Sequence, residues 1–244
     1  MDISIDTILR ILIPMLIFAI SNYIDLSEPE AEFNYSSVSY SHQEPVRDFL
    51  DREVRVGVKY YIIPVLFVRG AFGGCPLTLG QQMNGTQCPS QVVEVPVDTM
   101  RGLPVTFTHV YGNGRVIRLS TDLNIEVSAK SACKKSSSMV WRLADYVEPE
   151  GRWFVEMGGV KGNLGTNQTV RSWFKIEKFV YDGDGYRSGH KLVYCPESDV
   201  CETCKTVCTD VGIYSGVDGV RRLALVDNYQ VKPLRVAFLP SDLL

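Results

Sequence analysis

The sequence predicts an all-β domain, and three observations carry that reading. From Val54 onward, short apolar or alternating runs rich in Val, Ile, Tyr, Phe and Trp recur between Gly, Asn, Asp and Pro, as strands bounded by turns do. No segment beyond the first twenty or so residues sustains an apolar stripe at helical spacing. The punctuation includes Tyr111-Gly-Asn-Gly, Asp182-Gly-Asp-Gly and Val217-Asp-Gly, which supply the positive φ values that tight hairpin turns need.

Taken in order, the chain of 244 residues opens on an apolar stretch from Ile8 to Ile20, interrupted by Arg10 and Pro14. A bilayer core of about 30 Å asks for roughly 20 apolar residues. Residues 1–22 are therefore read as a secretory signal peptide, with an uncleaved anchor as the rival reading. Residues 23–45 are polar and aperiodic, and are expected to be a flexible extension or propeptide ahead of a domain spanning 46–244. Within that domain, strands are expected at Tyr60–Phe67, Pro104–Thr108, Leu123–Val127, Trp153–Met157, Trp173–Phe179 and Leu234–Phe238. Strands this short bury their faces either by closing into a barrel or by packing as two sheets, and periodicity does not choose between these. Aromatic-led starts near Tyr60, Trp141 and Trp173, with another unit opening at Gly212, form a weak internal echo of the kind that threefold architectures leave.

Composition narrows the function. A formal net charge of −3 without a Lys/Arg-rich run gives no footprint for nucleic acid. The three histidines, His42, His109 and His190, lie in no metal-ligand spacing, and neither a nucleophile elbow nor a phosphate-binding loop is present. No catalytic residue, metal or cofactor is expected. Seven cysteines, at 75, 88, 133, 195, 201, 204 and 208, leave one over after three pairs. In an oxidising compartment six would form bridges, and Asn34, Asn84 and Asn167 head Asn-X-Ser/Thr triplets, read as glycosylation acceptors. The Cys201-Glu-Thr-Cys204 spacing also occurs in zinc and redox sites, but the leader favours oxidised sulfur over metal.

Several blocks carry a resemblance to a known family. They are Tyr60-Tyr-Ile-Ile-Pro-Val, Gly73-Gly-Cys-Pro-Leu-Thr-Leu, Ser120-Thr-Asp-Leu-Asn-Ile, Met139-Val-Trp-Arg-Leu, Trp153-Phe-Val-Glu-Met-Gly-Gly-Val-Lys-Gly-Asn, Ser172-Trp-Phe-Lys-Ile-Glu, Lys191-Leu-Val-Tyr-Cys-Pro, Cys208-Thr-Asp-Val-Gly-Ile-Tyr and Gly219-Val-Arg-Arg-Leu-Ala-Leu. In this order and spacing, from Val46 to Phe238, the chain resembles the plant soybean-trypsin-inhibitor (Kunitz) superfamily, in its miraculin-like branch.

That resemblance implies a disulfide-stapled β-trefoil, a six-stranded barrel capped by three hairpins. It implies bridges Cys88–Cys133, Cys195–Cys208 and Cys201–Cys204, and gives Cys75 no place in the framework, so that Cys75 is expected as a thiol or as an interchain bond in a disulfide-linked dimer. It implies a secreted, extracellular or vacuolar defence protein that blocks a serine-type endopeptidase, or a miraculin-like interaction or storage protein that does not. The reactive loop then corresponds to Thr108, His109, Val110, Tyr111, Gly112, Asn113, Gly114, Arg115 and Val116, continuing to Arg118. Position in the family pattern places the scissile-side residue near Asn113, whereas charge alone selects Arg115 for a trypsin-like pocket. Inhibitors of the family carry Asp-Gly-Asn-Pro before the first strand, its Asn bracing the loop. The matching stretch here is Leu50-Asp51-Arg52-Glu53, which puts Arg52 at the bracing position.

Overall fold

The computed structural model describes residues 43–68, 71–81, 90–95, 102–110, 114–129, 138–162, 164–180, 189–198, 200–204, 206–227 and 231–243. The signal segment, the extension up to residue 42, Cys88, Cys133, Asn34, Asn84 and Tyr111 to Asn113 lie outside them. Among the described residues the secondary structure is strand, apart from three short 3-10 turns, and no helix is long and apolar enough to cross a membrane.

Six strands close a barrel. They are β1 (Tyr60–Pro64), β6 (Val105–His109), β7 (Leu123–Val127), β10 (Lys175–Phe179), β11 (Gly189–Tyr194) and β14 (Arg235–Pro240). Antiparallel pairing runs β1 to β6 through Tyr60↔Val105 and β6 to β7 through Phe107↔Ile125. Next, β7 meets the start of β10, where Leu123 N donates to Phe174 O at 2.8 Å and Phe174 N donates to Leu123 O at 3.0 Å. The ring then continues through Ile176↔Leu192, His190↔Val236 and finally Phe238↔Ile62, which returns to β1. Closure removes the exposed sheet edges that short strands otherwise present.

Three hairpins cap the barrel: β4 (Leu77–Gly80) with β5 (Gln91–Glu94), β8 (Trp141–Leu143) with β9 (Val155–Met157), and β12 (Thr209–Ser215) with β13 (Arg221–Leu225). They join one another in a triangle through Gln91↔Glu156, Arg222↔Val93 and Phe154↔Ala224. Each third of the chain thus contributes a barrel strand, a cap hairpin and a second barrel strand, with a small extra hairpin, β2 (Leu66–Val68) and β3 (Ala71–Gly73), inserted in the first third. This is a β-trefoil, and the barrel is the solution that strand periodicity left open.

The repeats begin at Tyr60, Leu123 and Gly189, so the aromatic echo does not mark equivalent places: Tyr60 opens a barrel strand, whereas Trp141 opens a cap strand. Boundaries shift for local reasons. The first strand ends at Pro64, which has no N–H to donate, and Trp153 and Phe154 lie ahead of β9. Pairing also starts before residue 46, since Pro45 bridges Arg118 and Leu119 N donates to Glu44 O at 2.9 Å.

Burial follows the period-two reading. Tyr60 and Ile62 of β1, Val105 and Phe107 of β6, and Val236 and Phe238 of β14 point inward, and Phe107 meets Phe238 edge-on at 5.4 Å between ring centroids. Phe174 stacks edge-on against both Trp141 and Tyr194, and burial pushes the Tyr194 phenol up to about 12. Each such ring contributes roughly 1.5–3 kcal/mol of burial. The Val217-Asp-Gly turn forms as expected: Gly219 has φ 75°, and Val220 N donates to Asp218 Oδ1 at 3.1 Å.

One strand residue makes the fold sensitive to acid. His190 lies against Phe238 at 5.4 Å, and burial pulls its imidazole down to about 4, with Lys178 and Arg235 acting the same way and Glu44 opposing them. The folded state holds the ring neutral while the unfolded chain takes up a proton below about 6.5, so this contribution is complete above that pH and is lost as pH falls from 6.5 towards 4. Allowing for solvent at the ring edge, the loss is about 2 kcal/mol. Urea unfolding of His190→Gln at stepped pH is expected to show a shallower decline over this window than wild type, and an unchanged slope would remove His190 as the cause.

Candidate functional site

The segment corresponding to the reactive loop leaves the barrel at the end of β6 and is fixed at both ends. At its start, Thr108 pairs with Asn124 and His109 with Leu123 in the β6–β7 ladder. Val110 N then donates to Asp122 O at 3.1 Å. The Val110 side chain rests on a satellite core of Val170, Trp173, Val200 and Cys201. At its far end, residues 115–119 run between two stretches of the amino-terminal segment. Val56 N donates to Arg115 O at 3.0 Å, Ile117 N to Val54 O at 2.8 Å, and Val46 N to Ile117 O at 2.8 Å. Ile117 is fully buried while Arg115 is exposed, so the strand-like alternation turns the arginine outward.

A side chain ties the two ends together. His109 is buried, and its Nε2 donates to Val116 O at 2.8 Å, which fixes the proton on that nitrogen because a carbonyl only accepts. Burial holds the imidazole below its ordinary value, opposed by this hydrogen bond. Gly114 folds down over the ring so closely that a Cβ there would stand 3.1 Å from His109 Nε2. In sequence His109 is one loop residue among nine; its role as the internal tie depends on Val116 returning to it, which spacing along the chain does not show.

The stretch before β1 differs from the inhibitor pattern in a way the geometry makes explicit. Asp48 is buried and accepts from Leu50 N at 2.8 Å and Arg52 N at 3.0 Å through Oδ1, while Arg52 Nε donates to Oδ2 at 3.0 Å. Arg52 is thereby held on its own turn. Asp51 takes φ 61° at the position where the family pattern has Gly, a conformation that Asp tolerates better than most residues.

The cysteines behind the loop are oxidised. Cys195–Cys208 joins the end of β11 to the start of β12, across a Cα–Cα distance of 4.1 Å, and Cys201–Cys204 closes a small ring inside that segment. The sulfurs of Cys201 and Cys204, whose spacing also occurs in zinc sites, are therefore engaged with each other. The loop closed by Cys195–Cys208 corresponds to about 3 kcal/mol of chain-entropy stabilisation. The ring places Cys201 and Val200 in the satellite core under Val110, which links the disulfides to the loop. Cys75 is half-buried just ahead of β4, and Asn167 stands exposed on a turn whose Thr166 and Thr169 hydroxyls lie 2.9 Å apart.

A closed trefoil with these disulfides and a loop pinned at its base has direct counterparts. Residues 46–239 match the family model described as trypsin and protease inhibitor, of the legume Kunitz type. The chain belongs to that family. It is 45% identical to Miraculin of Synsepalum dulcificum over 192 residues, covering 78% of this chain and 82% of that one. It is 40% identical to Kunitz trypsin inhibitor 5 of Arabidopsis thaliana, covering 80% and 85%. The Kunitz-type cysteine protease inhibitor PCPI-3 from potato superposes with a TM-score of 0.64 at 32% identity, covering 82% of this chain and 98% of that structure. Kunitz membership accounts for the trefoil and the two disulfides seen here.

Proposed function

We propose that this Kunitz chain is a secreted inhibitor that blocks a serine-type endopeptidase by offering residues 108–118 as a substrate-like loop, and that it is not itself an enzyme. The observation that carries this reading is the pinning of the segment at both ends with the His109–Val116 tie between them. A loop already held in one shape loses little entropy on docking, so more of the contact energy appears as affinity.

Of the two choices for the scissile-side residue, we take Asn113. A scissile carbonyl has to point into the protease's oxyanion hole, and the Arg115 carbonyl instead accepts from Val56 N. Arg115 then serves as an exposed contact beyond the scissile bond. Titration against trypsin, chymotrypsin, subtilisin and papain, with mass spectrometry of the loop, tests this. The expected result is a stoichiometric endpoint with a serine protease, a nick after residue 113, and about tenfold weaker inhibition for Arg115→Ala. Suppression of none of the four ends the proposal.

One observation favours a second reading, a miraculin-like interaction protein that does not enter a protease cleft. Arg52, at the bracing position, is held by Asp48. On that reading the loop suppresses no protease, and partner binding survives its mutation.

A further inference from the structure

We propose that Gly159–Gly162 is a second protease-facing loop, presenting Lys161 to a trypsin-like serine endopeptidase with an acidic primary pocket. It is independent of residues 108–118. The loop follows β9 and carries exposed Val160, Lys161 and Gly162. The backbone N–H groups of Gly159, Val160 and Gly162 are held by buried groups. Gly159 N donates to Val140 O at 2.9 Å, and Gly159 O accepts from Ser138 Oγ at 2.5 Å. Val160 N donates to Ser172 Oγ at 2.9 Å, and Gly162 N donates to Asn124 Oδ1 at 2.8 Å. Asn124 and Ser172 are completely buried, and Asn124 Nδ2 donates to Ser172 O at 2.8 Å, so the two supports brace each other. The Lys161 carbonyl, by contrast, accepts no hydrogen bond among the described residues. The N–H groups on either side of Lys161 are thus bonded to buried side chains, while its own carbonyl, the one a protease would attack, is engaged by no described group. This is the opposite of Arg115, whose carbonyl is engaged.

That arrangement suits inhibition rather than turnover. The protease serine Oγ attacks the Lys161 carbonyl carbon, the C–N bond to Gly162 breaks, and the serine proton ends on the Gly162 nitrogen. The new amine still donates to Asn124 Oδ1, so it stays beside the ester and attacks it, re-forming the peptide and returning the proton to the serine. Holding the leaving amine in place raises its effective concentration over that of water. Lys161 Nζ meets Glu126 Oε2 at 2.6 Å, but both side chains are substantially exposed, and releasing the pair costs at most about fivefold in affinity.

The test is titration of trypsin with the full oxidised chain and with Lys161→Ala, Lys161→Arg, Asn124→Ala and Arg115→Ala. The expected result is trypsin inhibition that Lys161→Ala weakens at least about thirtyfold and Lys161→Arg retains. Inhibition of any protease taken by residues 108–118 is expected to be unchanged in Lys161→Ala. Asn124→Ala is expected to convert slow, reversible nicking after Lys161 into rapid hydrolysis, read by mass spectrometry. If that core variant does not fold, the two surface variants decide. Trypsin inhibition lost in Arg115→Ala but intact in Lys161→Ala overturns the proposal, as does a wild type that trypsin ignores or simply digests after Lys161.

Discussion

Trp173→Ala is expected to destabilise the protein by about 3–5 kcal/mol, the range for truncating a fully buried Trp. For a domain of this size that is a fall in melting temperature of roughly 10 °C. The residue has no exposed surface and sits between the 3-10 turn Val170–Ser172 and Val200–Cys201, with Val110 packed against the same group. Its loss opens a cavity under the start of the 108–118 segment, so inhibitory strength is expected to fall together with stability. Trp173→Phe keeps most of the volume and is expected to lose less of both. Thermal melts and protease titrations on the same samples check this. A Trp173→Ala protein that melts normally would show that the satellite core supports nothing, and one that melts early with intact inhibition would show that the loop does not rest on it.

Much of this architecture is legible in the sequence because it depends on local pattern. Strand Leu123–Val127 appears where β-branched and aliphatic residues recur, and the turn at Asp218 and Gly219 where the chain needs positive φ. The pairs Cys195–Cys208 and Cys201–Cys204 follow from family resemblance, and both are present. What the sequence hides depends on distant backbone. Asn124 alternates with Leu123 and Ile125, so periodicity assigns it to solvent, yet it is completely buried because its amide finds Ser172 O and Gly162 N about forty residues on. Arg115 draws attention by its charge, whereas the fact that decides its role is a carbonyl bonded to Val56. Lys161 lies within a block that the resemblance used only as a marker of family. Its interest arises from which way the neighbouring N–H groups point, and composition carries no record of that.

Arg222 is the clearest case of a charge that reads as surface and is structural, and its truncation is the second large effect expected. It is almost wholly buried in β13, where the cap hairpins meet. Nε donates to Gln91 Oε1 at 2.7 Å, and the other two nitrogens clamp Asp218, Nη1 to Oδ1 at 2.8 Å and Nη2 to Oδ2 at 2.6 Å. Arg222→Ala leaves the buried Gln91 acceptor unsatisfied and removes the aliphatic stem from the cap. The expected cost is about 3 kcal/mol, the lower end for breaking such a pair, because Asp218 is partly solvated and recovers water. The guanidinium's hydrogen bonds also hold the Asp218 carboxyl down at about 2. That contribution is complete above the ordinary value of 3.8 and fades as pH falls through about 2. In Arg222→Ala the Asp218 titration is expected to move back up towards 3.8, visible by NMR. A double variant, Arg222→Met with Gln91→Leu, replaces both buried polar partners by apolar groups and is expected to recover stability to within about 1 kcal/mol of wild type. Should the double variant be no better than Arg222→Met alone, the penalty lies in cap geometry and not in the stranded Gln91 amide.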